Sequence, residues 1–222
     1  MARFDTAIRG GILVDGRRMP RVRADVGIKD GKIAEIGAIR ASDADRVLDA
    51  SGMIVAPGFI DLHTHYDAQI FWDPYCSMAG WHGVTSLVAC NCGFGFAPRR
   101  EAERERAMLS MTRVESIPLA AMRAGLPWSW ESFPEMLAAI GALPKAVNFG
   151  ALLPLCPLLT YVLGPERAKA GVLPTDREHA ELRRLVREAM HAGASGWSAQ
   201  RMEEGSGADQ QKDFDGSPMV SD

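Results

Sequence analysis

Several things are scarce in this chain, and each scarcity excludes something. There are only 4 cysteines in 222 residues. Cys76, Cys90, Cys92 and Cys156 are too few and too irregularly spaced for a disulfide framework, and in a reducing compartment such cysteines are free thiols or metal ligands. No run reaches the roughly 18 apolar residues of a membrane span. The longest apolar stretch, residues 151–163, is interrupted by Pro154 and Pro157. The opening MARFDTAIRGG holds no apolar segment of signal-peptide length. These absences lead us to expect a cytoplasmic chain with no membrane partner. Basic excess is missing too: the formal net charge is −3, whereas neutralising nucleic-acid phosphates takes a basic surface. The one dense charge run, Arg99 to Arg106, mixes both signs and reads as a solvated helix face.

What is present is ordinary for a globular protein, with 47% hydrophobic and 24% charged residues and enough length for a sizeable core. Residues 1–57 read as a small β-domain. Thr6 to Val14 is apolar and ends at Asp15-Gly16. Val26 to Lys29 and Lys32 to Ile36 flank Asp30-Gly31, a hairpin signal because type I′ turns need two residues tolerant of positive φ. Arg46 to Leu48 and Met53 to Ala56 are further strands, closed by Pro57-Gly58.

Residues 58–222 follow another pattern. Gly58 to His63, Val84 to Cys90, Val147 to Leu153 and Gly196 to Ala199 are strand candidates, and helical segments lie between them. Ser132 and Glu135 have capping-box spacing with proline in the first turn. Met136, Leu137, Ile140 and Leu143 then form one apolar stripe. Thr175 and Glu178 make a second capping box. It opens a helix with Leu182, Leu185, Val186, Ala189 and Met190 on one face and Gly193 at its end. Strands alternating with helices imply an α/β fold with a parallel sheet, here about four βα units. The tail after Gln200 reads as loop.

The sharpest chemical feature is GFIDLHTH, residues 58–65, an apolar strand ending in His-x-His. Side chains alternate along a strand, so His63 and His65 should project to one side, where two imidazoles suit a single metal ion. The next strand ends in Cys90-Asn-Cys92-Gly93. In a barrel of parallel strands the C-terminal ends gather on one face, which would bring Cys92 beside the histidines. Its thiolate is a good zinc ligand. Cys90 reads instead as a small buried hydrophobe. Asp61 shares the parity of His63 and should point inward, where an unpaired carboxylate is costly, so it should accept a hydrogen bond or orient a metal-binding ring. Asp67 follows in a loop, where contact with a metal's water or substrate and a turn cap are equally good readings. His82 precedes the second strand and lies at the opposite end. His179 and His191 fall in the first and last turns of one helix, 12 residues apart, without the spacing of a helical metal pair. Trp72, Trp81, Trp128 and Trp130 read as core or rim.

GFIDLHTH after a small β-domain resembles the metal-dependent amidohydrolase superfamily. Within it, HTHYDAQ followed by GVTSLVACNCGFGFAP is similar to the N-acyl-D-amino-acid deacylase (D-aminoacylase) group. VESIPLAAMRAGLPWSW and DFDGSPMVSD extend the likeness over nearly the whole chain. The resemblance implies a β-sandwich, 1–57, followed by the first half of a (β/α)8 (TIM) barrel, 58–222, hence an incomplete barrel. It implies zinc, one or two ions in the complete enzyme, held by His63, His65 and Cys92. In branches that use a carboxylated lysine as bridge, that lysine stands at a strand end, but here Lys145 precedes strand three and Lys212 is in the tail. Asp61, Asp67 and Ser198, in a Gly-Trp-Ser similar to the family's Gly-Phe-Ser, are carried over as supporting or substrate-side residues. Relatives often carry a Gly-His pair near the end of strand three, where this chain reads Leu152-Leu-Pro-Leu-Cys156. The general base and two further histidine ligands are expected beyond residue 222.

The implied activity is zinc-dependent hydrolysis of a small-molecule amide, an N-acyl-D-amino acid or a relative. The alternatives are a cyclic-amide hydrolase of the dihydroorotase or hydantoinase kind, and a non-catalytic metal-binding half-barrel that pairs with another chain. A half-barrel has unpaired edges, so an N-terminal fragment of this length should self-associate or need a complementing chain. Purified alone, it should be poorly soluble and show negligible deacylase activity, and robust turnover by a monodisperse 222-residue monomer would overturn that expectation.

Overall fold

The computed structural model describes residues 2–199 and 213–215. Most of the tail read as loop lies outside the described residues; within it, residues 213–215 end in a turn. The chain divides into two compact units, Met1–Gly58 and Phe59–Asp222.

The first unit is almost all strand: β1 (Phe4–Arg9), β2 (Ile12–Leu13), β3 (Val22–Arg23), β4 (Asp25–Lys29), β5 (Lys32–Gly37), β6 (Ala44–Asp49) and β7 (Ile54–Val55). They form two sheets, in the orders β5-β4-β1-β6 and β3-β2-β7. The hairpin is as expected: β4 and β5 pair antiparallel across Asp30 and Gly31, with φ of 51° and 71°, the geometry a tight type I′ turn demands. The single strand expected from Thr6 to Val14 is two strands. Gly10, at φ 77°, breaks it, and the Asp25 carboxylate accepts the Gly10 N–H at 2.8 Å and the Ile39 N–H at 3.0 Å. These backbone donors, with Ile39 the stronger, hold the Asp25 carboxyl below its ordinary pKa. Phe4, Ala7 and Ile39 make a small core.

The second unit begins with β8 (Phe59–Thr64), then short helices α1 (Tyr66–Gln69) and α2 (Ser77–Trp81), β9 (Val84–Ala89), and helices α3 (Arg104–Glu115), α4 (Leu119–Gly125) and α5 (Phe133–Gly141). It continues through β10 (Asn148–Ala151), β11 (Leu153–Pro154), α6 (Leu155–Leu163), α7 (Pro165–Lys169), α8 (Asp176–His191) and β12 (Trp197–Ser198). β8, β9 and β10 are parallel neighbours in chain order, and β11, which follows β10 after one residue, pairs parallel with β12. Four successive stretches of parallel strand therefore lie side by side in an α/β fold. Both expected capping boxes are formed, at Ser132 with Glu135 and at Thr175 with Glu178. Met136, Ile140, Leu185 and Ala189 are buried in one core with Ile70, Leu87, Phe96, Trp130 and Leu153. The prolines that interrupt the apolar stretch 151–163 sit where a helix tolerates them: Pro154 precedes α6 and Pro157 lies in its first turn.

The mixed-charge run does not make one solvated face. α3 starts only at Arg104, and Arg99 is buried ahead of it. Its backbone N–H is held by the Glu131 carbonyl at 2.8 Å, and burial drags its guanidinium pKa down to about 10. Among the described residues, no strand pairs with the free edge of β8, and Phe59, Ile60 and Leu62 on it are exposed. No described helix is long and apolar enough to cross a membrane.

At the start of α8, Glu178 receives Arg167 and the backbone and hydroxyl of Thr175, which lower its pKa from 4.5 to about 2, Arg167 most. A depressed carboxylate stabilises above its unfolded pKa and loses that contribution as pH falls through the folded one. The stability gap between wild type and Glu178→Gln, read by urea unfolding, should hold at neutral pH and close between pH 4.5 and about 2. A gap that does not change with pH would show that the carboxylate's charge is immaterial. Thr175→Ala should cost about 1 kcal/mol at neutral pH.

Candidate metal centre

The ends of β8 and β9 build the site. β8 runs parallel to β9, and the pairing slips between Asp61 and Thr64. Irregularities of this kind re-aim side chains. His63 is still in the strand, whereas His65 has left it and precedes α1 with φ −114° and ψ 41°. Simple alternation therefore does not place the pair. The slip and the turn into α1 do, with ring centroids 6.2 Å apart.

Cys92 sits in the loop after β9, between Cys90 at φ 65° and Gly93 at φ 82°. Three elements clamp this loop. The Asn91 side-chain amide donates to the Leu62 carbonyl of β8 at 2.7 Å. The Ser198 hydroxyl of β12 donates to the Cys90 carbonyl and accepts the Gly93 N–H at 3.2 Å. The Cys156 N–H in α6 donates to the Gly93 carbonyl at 3.0 Å. The result brings one ligand atom each from His63, His65 and Cys92 within 4.8 Å of one another. Ligands of one tetrahedral zinc are roughly 3.3–3.8 Å apart, given its bond lengths, so small side-chain adjustments suffice. His65 Nε2 and Cys92 Sγ are in direct contact at 2.9 Å, a separation that an ion between them would widen.

Behind the cluster stands Asp67, in α1. It is wholly buried, and its Oδ1 is 3.7 Å from His65 Nδ1. Neither atom has a hydrogen bond among the described residues. Its Oδ2 accepts the Cys90 thiol at 3.3 Å. Burial works most strongly against charge on His65, yet Asp67 and Cys92 together overcome it and raise its pKa to about 10. Burial, reinforced by Asp67, pushes the Cys90 thiol well above its usual value. A carboxylate facing the far nitrogen of a metal-facing imidazole is the support that metal-bound histidines commonly have. The donor set of two imidazoles and a sulfur fits zinc.

The other sequence expectations land differently. Asp61 is exposed, as His63 is, and its Oδ1 accepts the His63 N–H at 3.2 Å. A buried position had been inferred, but among the described residues β8 has a free edge and the carboxylate is exposed. Asp67 is no turn cap but the buried partner of His65. Ser198 is buried, with its hydroxyl committed to the Cys92 loop. Lys145 caps the end of α5, donating to the carbonyls of Ile140, Gly141 and Leu143 at 2.8, 3.2 and 3.0 Å; Lys212 lies outside the described residues. Trp130 is core, whereas Trp81 is exposed.

Three site features escaped the sequence reading: the Asn91 clamp, the Cys90 thiol on Asp67, and Glu115, whose Oε1 is 3.3 Å from His65 Nε2. Asn91 had a signal in the Asn-Cys-Gly motif. Glu115 had none, because nothing local ties the end of α3 to the end of β8.

Removing the Ser198 hydroxyl strands a buried N–H and a buried carbonyl in the Cys92 loop. Ser198→Ala should therefore cost about 1–3 kcal/mol in chemical denaturation. A change below about 0.5 kcal/mol, the range of an ordinary surface substitution, would mean that the clamp does not hold the loop.

A model of the amidohydrolase family matches residues 46–215. The chain is 36% identical over 195 residues to the D-aminoacylase of Alcaligenes xylosoxydans xylosoxydans, covering 88% of this chain and 37% of that protein. It is 34% identical to the N-acyl-D-glutamate deacylase of the same organism, covering 99% of this chain and 42% of that one. The crystal structure of the N-acyl-D-glutamate deacylase of Bordetella bronchiseptica, complexed with zinc and a phosphonate inhibitor, superposes with a TM-score of 0.73 at 32% identity. That match covers 88% of this chain and 38% of that one. The chain thus spans about two fifths of the length of these relatives. With the family model matching most of its residues, the chain belongs to the amidohydrolase family.

Proposed function

We propose that this chain supplies the N-terminal part of a zinc-dependent hydrolase of non-peptide amide bonds, and that the complete enzyme is an N-acyl-D-amino-acid deacylase. The observation that carries the reading is the convergence of His63, His65 and Cys92 within 4.8 Å at the ends of adjacent parallel strands. The similarity to proteins named D-aminoacylase and N-acyl-D-glutamate deacylase supports the substrate class. In this reading residues 1–57 belong to a β-sandwich and 58–222 to the first half of a (β/α)8 barrel. The free edge and exposed apolar residues of β8 support a partner for it, either later strands of a longer chain or another chain. The setting is cytoplasmic.

His63, His65 and Cys92 would hold the metal. A zinc ion so held supplies Lewis acidity toward a carbonyl and a nucleophile at neutral pH. Asp67 would support the ring of His65 from behind. Asn91 and Ser198 keep the Cys92 sulfur at the rim. Among the described residues no lysine stands at the end of β8, β9, β10 or β12 to bridge ions: Lys145 is spent on the α5 terminus. This favours Cys92 in that place over the cyclic-amide hydrolase arrangement. The proton transfer from water to the leaving amine falls to a carboxylate in a later strand, and the products are a carboxylate and a free D-amino acid.

Zinc content of the purified wild type, His63→Ala and Cys92→Ala tests the reading. Each variant should lose zinc affinity by more than the roughly 10–100-fold that loss of a supporting group costs. Unchanged metal content in both would remove the site.

A further inference from the structure

Cys90 is an odd residue for its place. Its φ of 65° is the left-handed region, which glycine enters freely and a side-chain-bearing residue enters at a cost. It is fully buried. A buried cysteine used only as a small hydrophobe would gain nothing there that a glycine could not give with less strain. Strained backbone that persists beside a site is a reason to look for what the residue does.

What it does is visible in its contacts. The Cys90 sulfur donates to Asp67 Oδ2 at 3.3 Å, and Asp67 Oδ1 faces His65 Nδ1 at 3.7 Å. Asp67 has no solvent exposure and no other hydrogen-bond donor among the described residues. Gly95 closes the same spot from the other side: a Cβ there would meet Cys90 Sγ at 2.9 Å and Asp67 Oδ2 at 3.3 Å. The carboxylate is therefore confined between one thiol and one imidazole.

We propose that Cys90 is a positioning residue, its thiol anchoring the buried Asp67 carboxylate so that Asp67 in turn orients His65 toward the metal. The proposal rests on the metal reading of His63, His65 and Cys92. No bond is made or broken at Cys90, and it does not touch the ion. Groups that support a metal-binding histidine in this way typically matter by 10–100-fold in metal affinity.

Two readouts test it on the full chain, with wild type, Cys90→Ser and Cys90→Gly compared. The first is zinc affinity by competition with a chromophoric chelator. Serine keeps a donor and should stay within about threefold of wild type, whereas glycine, which removes the donor and relieves the backbone, should bind zinc at least about tenfold more weakly. The second needs no metal: the ring-nitrogen resonances of His65 in long-range proton–nitrogen spectra. They should coincide in wild type and the serine variant and move in the glycine variant, with far-ultraviolet circular dichroism unchanged in all three.

If the glycine variant matches wild type in His65 resonances, Cys90 anchors nothing and the proposal is overturned. A glycine variant that loses its fold leaves the decision to serine, whose His65 resonances must then match wild type. If wild type binds no zinc, the metal reading fails by itself, and the proposed orientation of His65 toward a metal fails with it. The zinc measurement on wild type and the resonances of the variants thus separate the two failures.

Discussion

A carboxylate with no access to water has to be answered by charge or by donors, because an unanswered one costs several kcal/mol. Asp67 is such a group, and the described residues answer it with one thiol and one imidazole. Most of the local architecture follows from satisfying it. α1 must start directly after His65 to carry Asp67 under the histidine ring. The β9 loop must turn through a positive φ at Cys90 to bring the thiol over. The same turn swings Cys92 out to the rim, where its sulfur meets Nε2 of the same histidine. The imidazole thereby has a carboxylate behind it, 3.7 Å from Nδ1, and a sulfur in front, 2.9 Å from Nε2. That is the arrangement in which a ring is held rigidly enough to serve as a ligand.

The scaffold supplies this grip from several elements at once. Asn91 ties the loop to β8, Ser198 ties it to β12, and the start of α6 holds Gly93. These contacts join residues as far apart as 108 positions, so the loop is only as ordered as the four parallel stretches beneath it. The free edge of β8 belongs to the same picture. It places the first histidine strand at the margin of the described sheet, with apolar Phe59, Ile60 and Leu62 turned to solvent, in a chain about two fifths as long as its relatives.

Features governed by local rules were legible in the sequence. The Asp30-Gly31 hairpin, both capping boxes, the apolar stripes of α5 and α8 and the His-x-His and Asn-Cys-Gly strand ends each carry their cause within a few residues. Asp61 accepts a hydrogen bond as expected but is not buried, because alternation assumes a regular strand with one buried side. The register slip before Thr64 and the open edge of β8 void both assumptions. Arg99 was misread because a mixed-charge pattern says nothing about which residue the preceding loop will tuck inside. The Cys90 to Asp67 contact spans 23 positions, and Glu115 reaches His65 from a separate helix. Neither leaves a periodic trace, so only the folded chain reveals them. Cys90 is buried, as the sequence reading had it, and its contact with Asp67 is what that reading could not show.

X-ray absorption at the zinc edge tests the central claim most directly, since it reads the atoms around the ion without reference to activity. On zinc-loaded protein the account predicts a sulfur scatterer at about 2.3 Å together with imidazole nitrogens at about 2.0–2.1 Å. A first shell of oxygen and nitrogen alone, with no sulfur, would contradict it.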